Sequence, residues 1–172
     1  VVEENFAEVP SWHPAVENVI PVALRRWRRN LFKTYMNHEF RAFRRALQGI
    51  HYDLVIDAQG LIKSGLISRL SKGLTIGLSN RTIREPMATL FYNKVYSVPW
   101  TEHAVDRVRQ LFSRALQYEY DPREIDYGID VSRIDVSSEI SKKAEKQVVF
   151  LHGTTWQTKH WPKNYWRHLA QL

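Results

Sequence analysis

Gln147-Val148-Val149-Phe150-Leu151-His152-Gly153-Thr154-Thr155-Trp156-Gln157-Thr158-Lys159-His160-Trp161-Pro162 is the stretch from which the chain is read. Its apolar, β-branched opening predicts a buried strand. Small and hydroxyl-bearing residues follow, then an amphipathic segment from Lys163 to Leu172 that predicts a helix. Strand, polar loop and helix is the layout in which open α/β sheets hold ligands outside the carboxyl ends of their strands. The loop's chemistry suits a phosphate. Gly153 permits close backbone approach, Thr154 and Thr155 offer hydroxyl donors, and Lys159 offers a full positive charge. Pro162 fits the first position of a helix whose N-terminus would face the loop. An ordinary β–α connection carrying a surface lysine reads equally well, because the glycine pattern is neither of the Walker nor of the Rossmann kind.

A second unit of the same form lies upstream. Asp53-Leu54-Val55-Ile56-Asp57 predicts a strand, expected to be central, and Ala58-Gln59-Gly60 turns it into a helix through about Leu70. Repetition of this unit predicts a parallel sheet with crossover helices. Asp57 stands at the strand's carboxyl end, either as an active-site group or as a cap of the following turn. Lys63 lies near the same crevice. Further strands are expected at Val1-Val2, Val19–Ala23 (Pro21 arguing for an edge), Leu74–Leu78 and Tyr127–Val131. Helices are expected from Thr34 to Gln48, through Met36, Phe40, Phe43 and Leu47, and from a Thr101 cap to Tyr118. In the latter, Ala104, Val108, Leu111, Phe112 and Ala115 form the buried stripe, with His103 and Arg107 on another face.

Composition bounds the rest. The 172 residues, 44% hydrophobic and 12% aromatic, suffice for a globular core. No apolar run approaches the roughly 20 residues of a membrane span, and the start of the chain, with Glu3 and Glu4, is unlike a signal peptide. The absence of cysteine excludes disulfides and thiolate metal sites and fits a cytoplasmic protein. There is no Asp-x-Asp pair, no zinc-spaced histidine cluster and no Gly-x-Ser-x-Gly elbow. The chain carries 25 Lys and Arg against 18 Asp and Glu, a net +7, so its partners are expected to be anionic. The charge concentrates at Arg25-Arg26-Trp27-Arg28-Arg29, which is either a solvated surface or a clamp for phosphate and carboxylate groups. Trp27 would anchor that segment or sit at a membrane interface.

His152-Gly153-Thr154-Thr155 followed by Lys159-His160-Trp161-Pro162 resembles the lipopolysaccharide heptosyltransferase I family, within glycosyltransferase family 9. Val1–Trp12, Ile20–Arg28 and Tyr52–Lys63 resemble it as well. The resemblance implies a GT-B fold, α/β with a Rossmann-like parallel sheet. It implies an incomplete acceptor-binding domain over 1–136, a linker over 137–146, and the start of a nucleotide-sugar-binding domain over 147–172. It implies inverting, metal-independent transfer of L-glycero-D-manno-heptose from ADP-heptose to Kdo2-lipid A, with no cofactor, at the cytoplasmic face of an anionic inner membrane. Thr154, Thr155 and Lys159 would then bind the donor phosphates. Arg25, Arg26, Arg28, Arg29, Lys63, Arg84 and Arg107 would face the acceptor, with an ordinary Arg84–Glu85 surface pair as the alternative for Arg84. The family's base, an aspartate, is expected upstream of Val1, so the chain by itself is expected to be an inactive fragment. A heptosyltransferase II or another sister enzyme is the alternative within this superfamily. A non-catalytic nucleic-acid-binding module is the alternative outside it, though no nucleic-acid motif supports it.

Overall fold

The structure is a computed structural model that describes residues 1–28, 38–124, 126–134, 148–151, 153–154 and 156–172. It divides into two compact units, Val1–Ile134 and Asp135–Leu172. The predicted linker, 137–146, lies outside the described residues, as do Met36, Arg29 and Thr155.

The first unit runs β1 (Val2–Glu3), α1 (Glu8–Ser11), β2 (Pro21–Val22), α2 (Leu24–Trp27), α3 (His38–Gln48), β3 (His51–Ile56), α4 (Ile62–Leu70), β4 (Lys72–Leu78), β5 (Lys94–Tyr96) and α5 (Ala104–Leu116). A 3-10 turn, Pro86–Phe91, precedes β5. All strand pairs are parallel: β1 with β2, and β3–β4–β5 in that order. A parallel pair needs a crossover, and α4 supplies the one between β3 and β4.

Two apolar clusters hold these layers. Trp27, Phe43, Leu47, Val22 and Ala23 form one. Trp27 meets the edges of Phe40 and Phe43 at centroid distances of 5.5 and 5.4 Å, so it anchors the basic segment inside the protein. Ile76, Leu78, Ile83, Ala88, Val98 and Leu111 form the other, between β4 and α5.

Several sequence expectations need correction. Within the three-stranded sheet β4, not β3, is central, and its last four residues are all buried. β4 reads weakly as a strand because Gly73 and Gly77 interrupt it, yet both sit against Tyr52 and Tyr92 with no room for a side chain. Helix α5 is capped by His103, whose Nδ1 accepts from the Val105 N–H at 3.4 Å, and not by Thr101. Arg107 lies one turn before Leu111 and is buried with it rather than standing on a separate face. Tyr127–Val131 is not a strand. Asp126 accepts from the Gly128 N–H, Gly128 has φ +60°, and Asp130 caps a turn over Val131–Arg133.

The second unit contains a 3-10 turn, Gln157–Lys159, and helix α6, Lys163–Leu169. Pro162 is the cap of α6 rather than its first residue. Trp166 packs on Phe150 and Trp161 at 5.4 and 4.8 Å, which holds the helix to the loop. The strand expected over 147–151 does not form across its described residues, 148–151: Val148, Val149 and Leu151 are 80%, 77% and 92% exposed. An extended segment needs a neighbour for its backbone groups, and no strand pairs with it among the described residues.

Candidate functional site

The carboxyl ends of β3 and β4 meet at one rim, and a single buried carboxylate organises it. Asp57 Oδ1 accepts from the N–H groups of Gln59 and Gly60 at 2.9 and 3.2 Å. Its Oδ2 accepts from Ser64 Oγ at 2.7 Å and from Tyr92 Oη at 2.6 Å. Burial, and then the bond to Asp57, raises the Tyr92 phenol well above the usual tyrosine range. With four donors and 5% exposure, Asp57 is a structural cap of the turn. Gly60 completes that turn at φ +66°, where an added Cβ would lie 2.7 Å from Ile83.

The two loops of the rim are stitched together. Gly60 O accepts from the Glu85 N–H at 3.2 Å, and the Glu85 carboxylate accepts from the Ile62 N–H at 2.7 Å. Glu85 thus neutralises the N-terminal turn of α4. This use replaces the simple Arg84–Glu85 pair offered by the sequence. Lys63, in the first turn of α4, and Arg84, beside Glu85, are both exposed at this rim.

Arg107 enters the rim from α5. Its guanidinium lies 3.8 Å from the centroid of the Trp100 ring and donates to Thr82 O in the loop after β4. The residue is 9% exposed, its Nε has no hydrogen-bond partner, and no carboxylate pairs with it among the described residues. A buried cation with neutral neighbours is costly, and an anionic ligand would offset that cost. Sequence periodicity placed Arg107 on a face other than the buried stripe, so this burial is visible only in three dimensions.

The amino-terminal basic segment divides by role. Arg26 is bidentate to both Glu4 and Glu39, with contacts of 2.8 Å to each. These bonds, that to Glu39 first, raise the arginine further and lower Glu39. Arg25 lies 6.0 Å from the Phe6 ring, and Arg28 is exposed.

In the second unit, a hydrogen bond of 2.7 Å between His160 Nε2 and Thr154 O folds the loop back on itself. Lys159 N–H donates to Trp156 O at 2.9 Å, and the Lys159 side chain is exposed. Thr154 and Lys159 therefore belong to one closed turn just before α6.

Comparison with known proteins supplies the context for these groups. Residues 40–172 match the model of glycosyltransferase family 9 (heptosyltransferase). Lipopolysaccharide heptosyltransferase 1 of Pseudomonas aeruginosa is 51% identical over 172 residues, covering 99% of this chain and 47% of the relative. That of Escherichia coli strain K12 is 47% identical over 173 residues, covering 100% and 53%. The solved structure of E. coli heptosyltransferase WaaC with ADP superposes with a TM-score of 0.84 at 44% identity, over 99% of this chain and 53% of that one. Its structure with ADP-2-deoxy-2-fluoro heptose gives 0.85 at the same identity, over 99% and 54%. The chain spans about half the length of the relatives it matches. The fold is α/β of the GT-B heptosyltransferase kind, and the chain belongs to glycosyltransferase family 9, the heptosyltransferases.

Proposed function

We propose that the complete protein carrying this sequence transfers L-glycero-D-manno-heptose from ADP-heptose to Kdo2-lipid A in lipopolysaccharide inner-core synthesis. The observation that carries this reading is similarity along essentially the whole chain to heptosyltransferase 1 enzymes, one of them solved with ADP and with a fluorinated ADP-heptose. On this reading the first unit serves the acceptor and the second the donor.

The transfer is inverting and uses no metal. An aspartate outside this chain removes the proton from an acceptor hydroxyl, whose oxygen attacks the anomeric carbon as ADP leaves. Lys159, Thr154 and Thr155 stabilise the charge that develops on the departing diphosphate. Lys63, Arg84 and Arg107 hold acceptor phosphates or carboxylates at the rim of the sheet; Arg25, Arg28 and Arg29 supply further acceptor contacts, while Arg26 is committed to Glu4 and Glu39. The buried, uncompensated Arg107 is the feature of the first unit that most favours an anionic ligand. The acceptor is a lipid, so the protein works against the anionic cytoplasmic face of the inner membrane. On this reading the contact is peripheral; no helix of the described residues is long and apolar enough to cross a membrane.

The deciding experiment is transfer by the complete protein from ADP-heptose to Kdo2-lipid A, run beside the acceptor of heptosyltransferase II. Transfer to the first alone is expected. Transfer only to the second would reassign the acceptor within the same family. Lys159→Ala is expected to lower kcat by about 10²-fold or more. Unchanged turnover would remove Lys159 from the mechanism.

A further inference from the structure

An exposed apolar patch lies beside the rim, in a segment rich in positive charge. Ile62, Leu66 and Arg69 recur at helical spacing and share one exposed stripe of α4. On the adjacent flank Gly65 packs directly against Ala88 and Phe91 of the 3-10 turn. That contact brings α4 alongside Met87 and Leu90, the exposed neighbours of those two residues. Ile62, Leu66, Met87 and Leu90 are 44%, 48%, 60% and 72% exposed. Four large apolar side chains thus stand exposed on two adjoining elements, which water does not favour.

The charge of the segment that carries them is mostly of one sign. From Ala58 to Thr101 the sequence contains six lysines and arginines and a single acidic residue, Glu85. That one carboxylate is turned onto the Ile62 N–H and is taken up by the helix terminus. The charge of this segment is therefore predominantly positive, interspersed with neutral polar residues such as Gln59 and Thr89. Anionic lipid headgroups over an acyl boundary match both features.

We propose that this patch is the membrane-docking surface: Ile62, Leu66, Met87 and Leu90 enter the interface of an anionic bilayer, and Arg69 pairs with its headgroups. The inference rests on the lipid-acceptor reading above and assigns it a surface. Docking here sets Lys63 and Arg84 at the headgroup level, where a membrane-borne anionic acceptor presents its charges.

The test uses the complete protein and vesicles of phosphatidylcholine with phosphatidylglycerol that contain no acceptor lipid. Sedimentation gives the partition coefficient. The double variant Met87→Ser/Leu90→Ser is expected to bind about tenfold more weakly or worse, and Arg69→Glu at least about fivefold more weakly. Vesicles of phosphatidylcholine alone are expected to bind the wild type poorly. Thermal melting of each variant, expected at the wild-type temperature, separates lost docking from lost folding. Double-variant binding equal to wild type overturns the proposal, as does a wild-type protein that ignores anionic vesicles because another part of the molecule covers the patch. Transfer to a water-soluble acceptor analogue is expected to be unaffected by these substitutions. Absence of that transfer in the wild type would instead overturn the heptosyltransferase reading, whatever the vesicles show.

Discussion

Tyr92 Oη donates to Asp57 Oδ2 across 2.6 Å, and this bond joins the turn after β3 to the segment that leads into β5. Removing the hydroxyl leaves Asp57 with three donors. Tyr92→Phe is expected to cost about 1.5–3 kcal/mol, read as a lower thermal midpoint. Asp57→Ala costs more, because two backbone N–H groups, Ser64 and Tyr92 then lose their acceptor in a buried place.

Tyr92 also gives the protein an alkaline signature. Its folded value lies above the ordinary tyrosine value near 10, so the neutral phenol is the form the fold favours. The stability it contributes is fully present below about pH 10 and is lost as pH rises from there towards the folded value. Tyr92→Phe removes this dependence. A melting-temperature profile from pH 8 to 11.5 is expected to fall less steeply for the variant than for the wild type; identical slopes would sink the idea.

Arg107→Met separates binding from stability. It removes a buried cation that has no carboxylate partner, at the loss of the Trp100 stack and the bond to Thr82 O. These opposing effects leave stability within about 1 kcal/mol of wild type. Transfer is expected to fall at least about tenfold through loss of a charged contact to the acceptor. A melting collapse without a specific kinetic effect would make Arg107 structural.

Arg26 and Arg28 are expected to part company. Arg26→Ala breaks the bridge between Glu4 and Glu39 and lowers the melting temperature. Arg28→Ala leaves melting unchanged and raises the acceptor KM. Because Glu39 is lowered by Arg26, its contribution is present above the ordinary glutamate value near 4.3 and fades as pH falls through the folded one. Glu39→Gln is expected to flatten the acid limb of a melting profile between pH 3 and 5.

Two glycines probe two requirements. In Gly77→Ala the new methyl meets the Tyr92 ring at 2.2 Å, so about 2–4 kcal/mol of destabilisation is expected, measured by denaturant melting. Among the described residues, nothing lies within 4 Å of a methyl added to Gly153. Gly153→Ala is expected to leave stability unchanged yet to raise the KM for ADP-heptose, because the loop backbone can no longer approach the diphosphate closely.

The sequence by itself determined the family, the parallel α/β class and the helix of Phe40, Phe43 and Leu47, because hydrophobic period and local motifs are properties of adjacent residues. It also marked Asp57 and Lys63 as lying at a strand's carboxyl end. Tertiary structure decided which strand is central, since β4's glycines lower its strand signal but are required by the tyrosines packed on them. It decided that Asp57 is a cap, because Tyr92, one of its four partners, stands 35 residues away. It turned Arg107 inward through Trp100 and Thr82, and it bound Arg26 to two carboxylates brought from separate elements. An apolar run such as Val148–Leu151 carries the propensity for a strand, but a strand exists only where a neighbour accepts its hydrogen bonds, and sequence periodicity does not supply that neighbour.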